Sequence, residues 1–170
     1  MARRILIVEP DPMNMHDLFL LFHSEGGPSP HERYEPQVAT SLAEAVEKTQ
    51  TTRFHCVILD VSLPEMKGYE AVPLIRTISN NPPVIMVAAE NTQELETKVR
   101  EQDVFYYHLM SFDPNELRLA VENIFKKLLI FKESRKPSIS AVRPILLKPL
   151  RSFQKDGKQT EGTNAENLDE

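Results

Sequence analysis

The feature that most constrains this chain is a short apolar run ending on an acid, within FHCVILDVSLPEMKGYE at Phe54–Glu70. Cys56-Val57-Ile58-Leu59 is short, carries β-branched residues and is closed by turn chemistry, so it reads as a strand covered on both faces. The run stops at Asp60, Leu63-Pro64 turns the chain, and Gly68 opens a helical pattern. Open α/β sheets place their chemistry at the C-terminal ends of central parallel strands. Taken alone, an Asp in this position more commonly just ends the strand and caps a turn.

The rest of the chain repeats this strand-then-helix grammar. Ile5-Leu6-Ile7-Val8 is a second fully apolar strand, within Arg4–Glu9, and it runs into Glu9-Pro10-Asp11. Pro12 suits a helix start, because the N–H it lacks would be unpaired there anyway. The helix from Met13 to Ser24 places Met15, Leu18, Phe19 and Phe22 on one face, and Gly26–Pro30 then forms a long loop. A short strand at Gln37–Thr40 leads to the capping box Ser41-Leu42-Ala43-Glu44 and a helix to about Thr51. The third helix spans Gly68 to about Ile78, with Pro73 expected to kink it or delay its start. Val84–Ala88 is the next strand, followed by a polar helix from Asn91 to about Gln102. The last strand is Val104–Leu109, and Asp113-Pro114-Asn115-Glu116 starts a strongly signalled final helix.

Five alternations with short connections predict an α/β fold: a flavodoxin-like, doubly wound, five-stranded parallel sheet in the order 2-1-3-4-5. The switch point then lies between the ends of strands one and three. Glu9, Asp11 and Asp60 converge there from distant parts of the sequence.

Length and composition set the bounds. The chain has 170 residues and is 41% hydrophobic, enough for one domain with a core and an extension. No apolar run is long enough to span a bilayer, and MARRILIVE is not a signal peptide. Cys56 is the sole cysteine, which excludes a disulfide and fits a reducing cytoplasm. His16 and His23 read as surface residues rather than ligands. The net charge of −5 combines an acidic domain, a basic segment from about Lys126 to Lys158 and an acidic end. Such a domain surface does not bind nucleic acid, whereas the basic extension suits acidic partners.

Asp60, Leu63, Pro64, Met66 and Gly68 stand in the spacing D-x-x-L-P-x-M-x-G. This resembles the phosphoacceptor loop of response regulator receiver domains, the CheY-like switches of two-component signalling, and the likeness extends over roughly the first 130 residues. The resemblance implies that Asp60 is the phosphoacceptor and that two acids after the first strand help it hold a divalent metal. It also implies that a Ser or Thr after strand four and a Lys after strand five bind the phosphoryl oxygens. Mg²⁺ and Lys⁺ would offset the charge of a dianionic phosphoryl among carboxylates.

Several of these parts are missing. Glu9 matches the first acid, but Pro10 replaces the second, with Asp11 one residue later. The hydroxyl position falls on Ala88 and the lysine position on Met110 of Met110-Ser111-Phe112. Tyr107 keeps the switch aromatic, with its ring expected to sit inward permanently. Glu9, Asp11, Asp60 and the backbone carbonyl of Ser62 remain as metal donors, with Mg²⁺ expected to bind weakly or not at all and no cofactor required. Asp60 and Glu9, without a lysine, repel each other, which should raise the pKa of Asp60.

The chain therefore reads as an atypical, or pseudo-, receiver: a stand-alone protein-interaction module of two-component-type signalling, independent of phosphorylation and not an enzyme. The alternative is a working receiver that takes phosphate from a histidine kinase on Asp60, with Asp11 as substitute metal ligand. A flavodoxin-like enzyme or nucleotide binder is disfavoured, since no Gly-rich loop follows the first strand.

The last helix keeps an apolar stripe through Leu117, Val121, Ile124, Leu128 and Phe131 to about Lys132. Its end is longer than a receiver needs, so the surplus Phe125–Phe131, with Leu128 and Phe131 as interaction residues, is expected to project and seek cover. That cover would be a partner such as a signalling protein or kinase, or a second copy through the face of helix four, strand five and helix five. The organisation is thus a receiver-like domain over 1–134, a basic Pro-containing extension over 135–153 and a disordered tail over 154–170. The tail shows no helix-turn-helix, so direct transcription control is not expected.

Overall fold

The computed structural model describes residues 2–23 and 33–134, with side chains to Phe131. The readings of Gly26–Pro30 as a loop, of 135–153 as an extension and of 154–170 as disordered lie outside the described residues. The elements run β1 (Ala2–Val8), α1 (Pro12–His23), β2 (Arg33–Ala39), α2 (Leu42–Thr51), β3 (Cys56–Asp60), α3 (Gly68–Ile78), β4 (Val84–Ala88), α4 (Gln93–Arg100), β5 (Tyr106–Leu109) and α5 (Pro114–Ser134).

All strand pairs are parallel and the order is β2-β1-β3-β4-β5, as the alternating pattern predicts. Strand side chains alternate between two apolar layers. Leu6, Val8, Val57 and Leu59 face α2, α3 and α4, meeting Ala45, Val72, Ile75 and Val99. Ile5, Ile7, Cys56 and Ile58 face α1 and α5, meeting Leu18, Phe22, Leu117, Val121 and Ile124. Both faces of β1, β3 and β4 are thereby covered, which is why these strands read as continuous apolar runs. Cys56 is fully buried, and that burial pushes its thiol pKa up, so it is an inert core residue.

Some boundaries differ from the sequence expectation. β2 starts at Arg33 rather than Gln37, because edge pairing with β1 tolerates polar residues and Pro36, which stands opposite Ile5. β5 starts at Tyr106 rather than Val104, since the ladder with β4 begins where Tyr106 meets Ile85. α4 is shorter than expected; Thr92 caps it, its hydroxyl accepting the Leu95 N–H at 3.1 Å. Pro73 lies inside α3 and does not delay its start at Gly68. The capping box at Ser41 is shifted: Ser41 Oγ accepts the Glu44 N–H at 3.2 Å, but Glu44 Oε2 reaches back to Thr40 at 2.8 Å.

Candidate functional site: an acidic pair at the sheet switch point

The β1–β3 register brings the acids together. Ile5 pairs with Cys56 and Val8 with Leu59, so the next residues of the two strands, Glu9 and Asp60, emerge side by side. Both are buried, Glu9 being 1% and Asp60 5% exposed. Glu9 Oε1 accepts the backbone N–H of Asp11 at 2.9 Å, and Asp60 Oδ1 accepts that of Ser62 at 2.6 Å.

Burial first, and then the neighbouring charges of Asp60 and Asp11, push the Glu9 carboxyl up to about 7. A backbone hydrogen bond from Asp11 acts against this rise. Asp60 is also raised, as expected from the sequence, but the cause differs: burial leads, the only raising charge is Asp11, and Glu9 acts in the opposite direction rather than repelling it. Glu9 Oε2 is buried with no hydrogen-bond partner among the described residues.

Asp11 is exposed at the start of α1. Its Oδ1 accepts the N–H groups of Met13 and Asn14, both at 2.9 Å, so it acts as the helix N-cap. Ser62 pairs with Lys67 in an isolated antiparallel bridge that closes the loop after β3. Gly68 follows directly, and its N–H donates to the Val61 carbonyl at 2.8 Å. A Cβ at Gly68 would overlap the Asp60 carbonyl oxygen, so the loop's closing residue must be glycine. Among the described residues, no group of three or more His, Cys, Asp or Glu side chains is arranged to hold a metal ion.

Ala88 closes β4 fully buried, with its carbonyl accepting the Met110 N–H at 2.9 Å. The Met110 side chain packs with the α1–α5 layer and lines a cleft of about 300 Å³ with Leu18, Leu21, His108 and Leu117. Tyr107 is half-buried against the opposite layer, beside Leu95 and Leu109. Its hydroxyl donates to Asn91 Oδ1 at 3.0 Å, and Asn91 Nδ2 donates to Glu96 Oε2 at 3.3 Å. Tyr107 is thus tied through Asn91 to Glu96 of α4. Asn91 was not singled out from the sequence, although a polar residue just past β4 is the available signal.

Phe125 and Leu128 do not project as expected: Phe125 is buried in the α1–α5 layer of its own domain, and Leu128 is half-buried against it. The exposed apolar residues at the end of α5 are Leu129, Ile130 and Phe131, the last 67% exposed.

The arrangement of five parallel strands, two helical layers and an acidic pair at the switch point defines a class. The sequence matches the response regulator receiver domain family over residues 5–122, and the chain belongs to that family. Transcriptional regulatory protein SrrA of Staphylococcus aureus is 27% identical over 96 residues, covering 56% of this chain and 39% of that protein. The chain therefore spans about two fifths of the length of the curated relatives it matches. Similar solved structures include a CheY-like receiver domain protein of Methanospirillum hungatei, 23% identical with a TM-score of 0.63, covering 79% of this chain and 99% of that one. The response regulator TrrA of Thermotoga maritima, solved with Mg²⁺–BeF, is 25% identical with a TM-score of 0.60, covering 72% and 98%. Receiver domains are generally signalling modules of two-component systems that interact with other proteins, and this chain shares that general role.

Proposed function

We propose that this chain is an atypical receiver that works as a protein-interaction module, with an output that does not depend on phosphorylating Asp60. The carrying observation is Met110. Where the family places a lysine beside the phosphoryl group, this side chain is apolar and packs in the α1–α5 cleft. Ala88 likewise has no hydroxyl to offer. Each lost contact of this charge-assisted kind costs about 1.5–3 kcal/mol.

The donor set does not suit Mg²⁺. Pro10 has no donor atom on its side chain, Asp11 Oδ1 is committed to α1, and burial pushes the Glu9 carboxyl up to about 7. The partner surface is the α4–β5–α5 face together with Leu129, Ile130 and Phe131, and it takes a signalling protein or a second copy. Direct binding to nucleic acid is not part of this reading, nor is enzymatic turnover. A cytoplasmic location accords with it, and no described helix is long and apolar enough to cross a membrane.

Incubation with acetyl phosphate and Mg²⁺, read by intact mass, tests the proposal. The expected result is no added phosphoryl mass. Stoichiometric addition that disappears in Asp60→Asn would overturn it and promote the second reading, a working phosphoacceptor. That reading draws support from the retained acceptor loop, in which Asp60, the Ser62–Lys67 bridge and Gly68 keep a closed geometry.

A further inference from the structure

A second cavity lies at the opposite end of the sheet, beneath the N-terminal ends of β1 and β3. It has a volume of about 350 Å³, and its lining includes Arg3, Arg4, Arg53, His55, Phe125 and Leu128. Three arginines thus converge on one cavity, and no described Asp or Glu lines it. Arg3 is 6% exposed, and its guanidinium lies 4.8 Å from the Phe125 ring centroid, which fixes one wall. Arg4 Nε is buried without a hydrogen-bond partner among the described residues. The Arg4 backbone N–H donates to His55 Nδ1 at 3.2 Å. Arg53 stands exposed on the loop before β3, at the mouth. Apart from the amides Asn80 and Asn81, the rest of the lining is apolar and includes Phe54, Pro82 and Pro83.

We infer that this cavity is a binding site for a small organic anion with an apolar body. Its carboxylate or phosphate head meets Arg4 and Arg53, and its body lies along Phe125 and Leu128. Guanidinium groups suit such heads because their fork of donors matches carboxylate and phosphate oxygens. A cavity of this size takes a small molecule, small-molecule sites spanning roughly 300–1,000 Å³. The site is remote from Glu9 and Asp60, which emerge at the other end of the sheet. A ligand there touches α5 directly, the helix that also carries the exposed Leu129, Ile130 and Phe131.

The test is an NMR titration of the full chain, following backbone amides and arginine Nε–H groups. The probes are octanoate, octyl phosphate, octylammonium and inorganic phosphate. Saturable shifts at Arg4, Arg53 and Leu128 are expected with the octyl anions, none with octylammonium, and binding of phosphate alone at least about tenfold weaker. Whichever octyl anion binds more tightly identifies the head group, and either order supports the site. Arg53→Gln should weaken the tighter anion about tenfold. Arg4→Gln should weaken it further, and Arg53, being exposed, keeps the test decisive if the Arg4 variant does not fold. The inference is overturned by any of three results. These are no saturable shift with either anion, equal binding of octylammonium, or anion affinity unchanged in Arg53→Gln.

Discussion

The carboxylate of Glu65, in the loop after β3, accepts the backbone N–H of Leu42 at 3.2 Å, and that of Ala43 at 3.4 Å. An acid of the acceptor loop thus caps the first turn of α2, a helix that begins 23 residues earlier in the chain. These N–H groups have no partner within the helix, and a carboxylate there also complements the helix dipole. Glu65→Ala should therefore speed hydrogen exchange at Leu42 and Ala43 while leaving α5 amides unchanged. Unchanged exchange at both amides would mean that the cap carries no weight.

The Glu9–Asp60 pair makes stability depend on pH. Glu9 rises from an ordinary value of 4.5 to about 7 in the folded chain. Below pH 4.5 it is protonated in both states, so its contribution is fully present. Between 4.5 and about 7 the unfolded chain releases the proton first, so stability falls as pH rises. Asp60, also raised, acts in the same direction. Urea denaturation should show Glu9→Gln gaining about 2–3 kcal/mol over the natural chain at pH 8, with little difference near pH 4.5. Equal gains at both pH values would argue against a buried proton on Glu9.

Gly68 meets the Asp60 carbonyl so closely that an added methyl must move backbone rather than a side chain. Gly68→Ala should cost at least about 2 kcal/mol, in the range of overpacked or strained sites. The amide shifts should centre on Val61 and Ser62, which share the loop's hydrogen bonds. A neutral effect in thermal or urea denaturation would show that the loop relaxes freely.

If the missing contacts are what silence Asp60, restoring them should revive it. Pro10→Asp, Ala88→Thr and Met110→Lys together return the second acid, the hydroxyl and the cation. The triple variant should take up phosphoryl mass from acetyl phosphate where the natural chain does not. A folded triple variant that stays unlabelled would place the block elsewhere, for instance in the Tyr107–Asn91 tie to α4.

The fold was legible because β1, β3 and β4 are buried on both faces and leave unbroken apolar runs, while Ser41, Asp113 and Gly68 mark helix starts. β2 was legible only in part: an edge strand can carry Arg33, Glu35 and Pro36, which carry no strand signal. At the site, the positions of Glu9, Asp60, Ala88 and Met110 followed from motif and register. The orientation of Leu128 did not, because a wide apolar stripe does not say where the sheet ends beneath it. The Glu65 cap and the arginine-lined cavity join segments far apart in sequence, and no local periodicity records such contacts.

A receiver whose output does not depend on phosphorylating Asp60 has a pocket that no longer works as a phosphate-gated switch. Amide NMR of the full chain, titrated with Mg²⁺ and then with beryllofluoride as phosphoryl mimic, tests it most directly. No saturable shifts are expected around Asp60 at millimolar metal, and no change at Tyr107. Saturable shifts that start at Asp60 and spread through Tyr107 to α5 would contradict it and show that the switch survives.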